Sequence, residues 1–267
     1  MTLFYITWNV DPEIFSIGGL SIRYYGLLFA SAFFFGYLII SKVFKKEGVD
    51  IKHLDRLTVY MALGTIIGAR LGHCFFYEPG YYLNHPMEIL MVWKGGLASH
   101  GGAIGILIAL YLFSRKIKKP YIWILDRVVI VVALAGLFIR TGNLMNSEIV
   151  GKPTELPWGF IFVRNGDDFA RHPAQIYEAL SYFLIFIVLY FLYFKKEFGQ
   201  KQGYLFSIFL IVLFTVRFLI EFVKDVQVEA EKSMTLNLGQ WLSLPFIIIG
   251  AGLLIYYILR HKKKPAN

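Results

Sequence analysis

Five ionisable side chains stand inside or at the ends of otherwise apolar segments: Arg23, Arg70, His100, Arg140 and Arg217. An ionisable residue within a membrane span is costly and is a functional-site candidate by default. Arginine suits phosphate, because its planar guanidinium stays charged and donates two parallel hydrogen bonds. An imidazole can accept a proton near neutral pH. Arginines gathered at one depth, with a histidine, therefore indicate a phospholipid headgroup site with a candidate base.

Each of these residues also has a structural interpretation. The aliphatic stem of Arg23 can carry its charge to the membrane interface. Arg217 and Glu221 are four residues apart on one predicted helix, so they can form an ion pair. His100 can hydrogen-bond across helices and have no part in chemistry.

Polar residues follow Arg140 closely, in the segment RTGNLMNSEIVG. If the helix continues to the end of this segment, Arg140, Asn143 and Ser147 share one face at spacings of three and four. The other polar or small residues beside them are Asn146, Glu148 and Gly151. Further on, Gln175 and Glu178 share a face at i, i+3, which is typical of an ordinary polar contact between helices.

The sequence offers no convincing nucleophile. GLASHGG lacks the G-x-S-x-G elbow, and the side chains of Ser99 and His100 diverge because they are adjacent on a predicted helix. Cys74 follows Arg70 by one turn, but free buried cysteines are usually inert. The six histidines share no metal-ligand spacing, so we predict no metal site. This pattern favours an enzyme whose nucleophile arrives with its substrate.

A transporter of anionic solutes is the main alternative, because it too would hold anions with arginines. Transporter sites usually lie near the bilayer midplane between repeats, whereas these arginines lie toward one side and no repeat is visible. An assembly or scaffold protein would have no need of five ionisable groups at one leaflet.

The elements that must position these residues are membrane spans. The 267 residues are 57 % hydrophobic and 17 % charged, where a soluble domain is nearer half apolar and a quarter charged. About 20 apolar residues cross a bilayer. We predict an all-α integral membrane protein that forms one catalytic domain over 1–267. Its seven spans are 19–41, 57–77, 96–114, 121–143, 174–194, 203–223 and 238–259.

The basic residues predict the orientation of these spans. Of the 27 lysines and arginines, 17 lie in four clusters that follow the first, third, fifth and seventh spans, at 42–56, 115–127, 195–201 and 260–264. Positive loops stay in the cytoplasm, so the N-terminus is predicted outside and the C-terminus inside. The five ionisable residues then face the external leaflet. The net charge of +9 is juxtamembrane, which predicts contact with membrane lipids and not with nucleic acid.

Two external stretches join the spans. Residues 78–95 are rich in aromatics and methionine and are predicted to form an interfacial arm. The alternative, which assigns them a more specific function, is contact with a substrate peptide. Residues 147–173 are too long for a tight turn and are predicted to form a small cap between the fourth and fifth helices. Within this cap, the Asn165-Gly166 pair between β-prone residues predicts a hairpin turn.

The chain resembles the prolipoprotein diacylglyceryl transferase family, with the family's motifs in the same order over nearly the whole length. The motifs are IRYYG at 22–26, ARLGHCFFY at 69–77, GGLASHGGAIG at 95–105, RTGNLMNSEIVG at 140–151, PTELPWGF at 153–160, RHPAQIYEAL at 171–180, RFLIEFVKD at 217–225 and LGQWLSLP at 238–245. Leu144 and Lys224 depart from the family pattern, which commonly has an aromatic at the first position and often another basic residue at the second. We expect these departures to affect only substrate fine-tuning.

The resemblance implies transfer of the diacylglyceryl group of phosphatidylglycerol to the lipobox cysteine of a preprolipoprotein signal peptide. A thioether forms and glycerol 1-phosphate leaves, without metal or organic cofactor. The family also implies seven spans in a bacterial inner membrane, with the active site toward the outer leaflet. We expect Arg140 and Arg217 to hold the phosphate and His100 to act as the general base.

The remaining residues are expected to shape the phosphatidylglycerol site. Glu221 would orient Arg217. The polar floor and the headgroup cavity would be formed by Asn143, Asn146, Glu148, Gly151, Tyr25 and Arg70.

Overall fold

The computed structural model describes residues 5–18, 20–196, 198–226 and 234–262, and it is mostly helical. The α-helices are α1 (Tyr24–Lys46), α2 (Lys52–Phe76), α3 (Pro79–Asn84), α4 (Ser99–Lys116), α5 (Tyr121–Met145), α6 (Ala174–Lys195), α7 (Tyr204–Ile220) and α8 (Leu238–Lys262). Short 3-10 helices occupy Pro86–Leu90, Val92–Lys94, Val163–Asn165 and Phe198–Gln200. The strands are β1 (Ile6–Trp8), β2 (Glu13–Ile17), β3 (Leu20–Arg23) and β4 (Phe160–Phe162).

The predicted all-α membrane class is confirmed. Among the described residues, five helices are long and apolar enough to cross a membrane, namely α1, α2, α5, α6 and α8. Helix α7 is equally apolar but has 17 residues, and α4 has 18 and begins with polar and small residues. The seven predicted segments each contain a helix. The number of spans and the N-outside orientation stay predictions.

The start of the first predicted span is wrong. Helix α1 begins at Tyr24 and not at residue 19, because β2 and β3 form an antiparallel hairpin immediately before it. At the turn of this hairpin, Gly18 has a φ of +56°, a conformation that glycine adopts without steric cost. Arg23 ends β3 and pairs with Glu13 at 3.0 Å on the surface. It therefore does not lie within a span.

The chain forms two compact units, one of Met1–Gly36 with Asp126–Asn267 and one of Tyr37–Leu125. In the second unit, glycines bring the backbones of α2 and α4 into contact. A Cβ atom on Gly101 would overlap the carbonyl oxygen of Gly68, and one on Gly105 would overlap that of Gly64. Small residues allow this close approach between membrane helices. Gly101 and Gly105 are thus packing positions.

We expect Gly101→Ala to lower the free energy of unfolding by about 1–3 kcal/mol, because the added methyl group must push α2 and α4 apart. Thermal unfolding in detergent measures this effect. The matched control is Gly102→Ala, whose methyl group would meet no atom closer than 3.6 Å. The control is expected to stay within about 0.5 kcal/mol of the parent. Equal destabilisation of the two variants would contradict the backbone contact.

In the first unit, Asp126 of α5 caps the start of α7. Its carboxylate accepts hydrogen bonds from the backbone N–H of Gly203 at 2.6 Å and of Phe206 at 2.9 Å. The first N–H groups of a helix have no partner within the helix, so this buried carboxylate supplies one from a neighbouring helix. Arg127 also donates to the carbonyl of Gly199 at 2.8 Å. The two side chains join α5 to the connection between α6 and α7.

The cap segment (147–173) is held by short strand pairings and not by a tight hairpin. Strand β4 pairs in parallel with β1, and Phe160 exchanges two backbone hydrogen bonds with Arg171, at 2.9 and 2.8 Å. The chain reverses at the predicted Asn165-Gly166 pair, through a 3-10 helix that ends at Asn165 and is followed by Gly166 with a φ of +77°. The small core of this region comprises Leu144, Phe160 and Phe162, packed against Trp8, Val150 and Ile176.

Candidate active site

Arg140 is the centre of a polar cluster within the first unit. It lies one turn before the end of α5, and its side chain is 13 % exposed. Its Nε lies 2.8 Å from Oε2 of Glu178, a fully buried residue of α6, and its Nη1 donates to Oδ1 of Asn143 at 3.1 Å. These contacts fix one side of the guanidinium, and Tyr182 is also close enough to hydrogen-bond with Arg140. The guanidinium is a charged donor group of the kind that binds a phosphate.

The polar floor forms just after α5. The Glu148 carboxylate accepts hydrogen bonds from the amides of Asn143 and Asn146, each at 3.1 Å. Helix α5 ends at Met145, so the prediction that Ser147 continues the helical face of Arg140 is wrong. Instead, Ser147 and Ile149 have φ values of 55° and 58°. Left-handed backbone at non-glycine residues costs about 1–3 kcal/mol each and clusters at functional sites.

The end of α7 contributes a second pair of charges. Lys224 Nζ donates to Glu221 Oε2 at 3.0 Å and lies 3.9 Å from Glu178 Oε1. The predicted pairing of Glu221 with Arg217 is therefore wrong, because Lys224 reaches the carboxylate across the turn that follows the helix. Arg217 is close enough to Tyr182 to interact with it electrostatically. In the described parts of the chain its side chain has no ion pair or hydrogen bond of its own.

Unpaired buried polar atoms gather in this cluster. Of five such side-chain atoms in the residues that the structure describes, four belong to Asn146, Ser147, Gln175 and Glu178. The Oε2 atom of Glu178 lies 2.8 Å from Arg140 Nε, but the N–H bond does not point at it well enough to form a hydrogen bond. A buried polar atom without a hydrogen bond costs about 1–3 kcal/mol. Their concentration here points to a ligand that supplies the missing partners.

Tyr25 and Gly151 complete the site in the first unit. The Tyr25 ring packs on Gly142, where a Cβ atom would lie 2.7 Å from the ring. Tyr25 also interacts electrostatically with Glu148 and Arg140. Gly151 is equally constrained, because a Cβ atom there would lie 2.5 Å from the Cβ of His172.

Sequence reasoning missed Glu178 and Lys224 as members of this cluster. A usable signal existed for Glu178, because it is an ionisable residue inside an apolar span and so satisfies the same rule that selected the arginines. Lys224 carries no such signal. It follows the sixth predicted span (203–223), at a position where a lysine is ordinarily solvated, and only the fold buries it.

Arg70 and His100 belong to the second unit. Arg70 is 3 % exposed, its guanidinium lies 5.0 Å from the centre of the Tyr82 ring, and its hydrogen bonds go to backbone carbonyls. Its guanidinium donates to the carbonyls of Ile89 at 3.0 Å, Gly95 at 2.6 Å and Gly96 at 3.3 Å, and also to that of Glu88. These contacts make Arg70 the anchor of the segment before α4. They do not show the predicted role in lining a headgroup cavity.

We expect Arg70→Lys to loosen the segment from Glu88 to Gly96, because an ammonium group cannot donate hydrogen bonds to all four of these carbonyls. Limited proteolysis should cleave this segment about tenfold faster, as its local opening becomes easier. Arg56→Lys is the control, since Arg56 is an exposed residue of the same helix. Identical cleavage rates for the two variants would contradict the anchoring role.

His100 is the second residue of α4 and is exposed. Within the described ranges its side chain has no hydrogen-bond or ionic partner, so the ring is free to meet a substrate. The start of the helix is fixed next to it, because the N–H of Ala98 donates to the carbonyl of Ala69 at 2.9 Å. The same part of the chain holds no group of three metal-ligating side chains.

Comparison with known proteins identifies the family. A family model described as prolipoprotein diacylglyceryl transferase matches residues 12–256. A phosphatidylglycerol–prolipoprotein diacylglyceryl transferase of Chloroherpeton thalassium is 49 % identical over 253 residues, which cover 94 % of each chain. A protein of the same name from Bacteroides fragilis is 46 % identical, with 97 % of this chain and 96 % of the relative covered. The chain belongs to the prolipoprotein diacylglyceryl transferase family.

Proposed function

We propose that this membrane enzyme transfers the diacylglyceryl group of phosphatidylglycerol to the lipobox cysteine thiol of preprolipoproteins, the first step of lipoprotein maturation. The observation that carries the assignment to a site is the Arg140 cluster with its unpaired buried polar atoms. A phosphoglycerol headgroup offers both a phosphate for the guanidinium groups and hydroxyls for the unpaired amide and hydroxyl oxygens.

The phosphate is assigned to the guanidinium groups of Arg140 and Arg217. Both cations act where negative charge develops, because glycerol 1-phosphate leaves with one more negative charge than the bound phosphodiester had. Fixed donors aimed at developing charge are usually the largest contribution to catalysis. Asn143, Asn146 and Glu148 hold the polar floor, and Tyr25 and Gly151 border it.

The reaction balances with groups from the two substrates and one base. The thiol loses its proton to His100, the sulfur attacks the terminal glyceryl carbon, and the carbon–oxygen bond to phosphate breaks. The electron pair leaves on the phosphate oxygen. A free thiol has a pKa of about 8.5, so a base or a positive field is needed to form the thiolate at neutral pH. No metal or organic cofactor enters this scheme.

We further propose that the protein lies in the bacterial inner membrane, with the site toward the outer leaflet. The segment 78–95 supports an interfacial arm, because its large apolar side chains are exposed, among them Leu83, Met87, Leu90 and Trp93. The cap segment (147–173) would then be the external cap. Single cysteines placed in both segments and treated with a membrane-impermeant thiol reagent test whether these segments lie on the outer side of the membrane.

The activity is tested with purified protein, a lipobox peptide and vesicles that contain phosphatidylglycerol. The expected result is a mass increase of one diacylglyceryl unit on the peptide cysteine, with one glycerol phosphate released per thioether. Vesicles of phosphatidylcholine alone should give no adduct. Flux of an anionic solute into these vesicles, without any adduct, would instead support the transporter alternative and overturn this proposal.

A further inference from the structure

We infer that Lys224 is a positioning residue that neutralises Glu221, and helps Arg140 to neutralise Glu178, and so keeps Arg217 available for the phosphate. This inference deepens the proposed function and rests on it. Lys224 does not itself bind the lipid. It acts through the two carboxylates that would otherwise compete with phosphate for the arginines.

The surroundings of Lys224 show that it serves the carboxylates. Its side chain is 3 % exposed, and its ammonium group lies 3.0 Å from Glu221 and 3.9 Å from Glu178. A lysine this buried is almost always paired. Among the described residues, Lys224 is the one cation paired with Glu221.

The backbone holds Lys224 in this place. Lys224 forms an antiparallel bridge with Gly151 of the cap segment. On either side of it, the N–H of Lys152 donates to the carbonyl of Val223 at 2.8 Å, and the N–H of Asp225 donates to the carbonyl of Val150 at 3.2 Å. The ammonium group is thus delivered to the carboxylates by a fixed strand pairing and not by a mobile loop.

The charges of the cluster balance only when Lys224 is counted. The cations are Arg140, Arg217 and Lys224, and the carboxylates are those of Glu148, Glu178 and Glu221. Without Lys224, the buried Glu221 carboxylate loses its ion pair and keeps only its longer-range electrostatic interaction with Arg140. Arg217, one helical turn before it, is then the nearest cation on the same helix and is drawn to it. Either outcome weakens the binding of a phosphate, by repulsion or by loss of a free guanidinium.

The closing experiment compares Lys224→Met, Lys224→Arg and the double variant Lys224→Met with Glu221→Gln. The transfer assay is run in mixed micelles, with the mole fraction of phosphatidylglycerol varied. We expect Lys224→Met to raise the apparent KM for phosphatidylglycerol about tenfold or more, since one partner of a buried charge pair is lost. Lys224→Arg keeps the charge and should stay within about threefold of the parent. The double variant removes one charge of each sign and should recover most of the lost affinity.

A purely structural role would give a different set of results. Lower activity in proportion to the folded fraction, with an unchanged KM, would overturn the inference. So would a folded double variant that binds phosphatidylglycerol no better than Lys224→Met. If Lys224→Met does not fold, the other two variants test the inference. Lys224→Arg should keep the apparent KM within about threefold of the parent, and the double variant should bind phosphatidylglycerol nearly as well as the parent. Absence of any thioether with the parent protein would overturn the proposed function itself, whereas an active parent with an unaffected Lys224→Met would overturn only this inference.

Discussion

Replacement of Arg140 by glutamine is expected to lower kcat/KM for lipid transfer about 10³-fold. The side chain is held by Glu178 and Asn143, with Tyr182 beside it, so its guanidinium is oriented before substrate arrives. Glutamine retains an amide donor but loses the charge that stabilises the leaving phosphate. The thioether assay at low phosphatidylglycerol content measures kcat/KM directly.

Two companion variants separate charge from fold in this experiment. Arg140→Lys keeps the charge but loses the planar guanidinium that can donate two parallel hydrogen bonds. We therefore expect an intermediate loss of kcat/KM, of about 10-fold to 100-fold. Arg164→Gln is the matched control, because Arg164 is in the cap segment, 42 % exposed and only distantly paired with Asp11 at 3.8 Å. It should leave transfer unchanged. Parent-like transfer by folded Arg140→Gln would remove the phosphate assignment.

Replacement of His100 by glutamine is expected to lower kcat by about 10²-fold to 10⁴-fold, the range that a general base supplies. The apparent KM for phosphatidylglycerol should stay nearly constant, because His100 is assigned to the thiol and not to the lipid. The loss should also shrink as the pH rises toward about 8.5, where a free thiol ionises without help. Transfer rates of the parent and the variant across this pH range measure the effect.

The control for His100 is His261→Gln, at the far end of α8, where the ring centre lies 5.4 Å from that of Tyr204. It is expected to transfer lipid at the parent rate. A His100→Gln protein with full kcat would show that another group takes the thiol proton. It would leave the phosphate assignment to Arg140 untouched.

Much of the fold follows from local sequence properties. Long apolar segments located the helices, because a bilayer requires about 20 apolar residues per span. The structure also shows that Gly101 and Gly105 pack against the α2 backbone at Gly64, Gly68 and Gly72. Hydrophobicity could not show which helix would be the partner.

The candidate site was predictable where residues are near in sequence and not where they are distant. Arg140, Asn143 and Glu148, which are near in sequence, form one connected hydrogen-bonding group. The spacing argument placed Arg140 and Asn143 together but also included Ser147, which the end of α5 removes from that face. Glu178 and Lys224 come from other helices, and their contacts depend on tertiary packing. Arg70 is a residue whose burial was predictable from the sequence but whose partners were not. A buried arginine predicts polar partners, but the sequence cannot show that these are backbone carbonyls and not a headgroup.

The most direct test of the central claim is a structure of the protein determined in lipid that contains phosphatidylglycerol. The claim predicts the phosphate within hydrogen-bond distance of the guanidinium groups of Arg140 and Arg217, with the headgroup hydroxyls on the unpaired atoms of Asn146, Ser147 or Gln175. A bound phosphatidylglycerol whose phosphate touches neither arginine would contradict it.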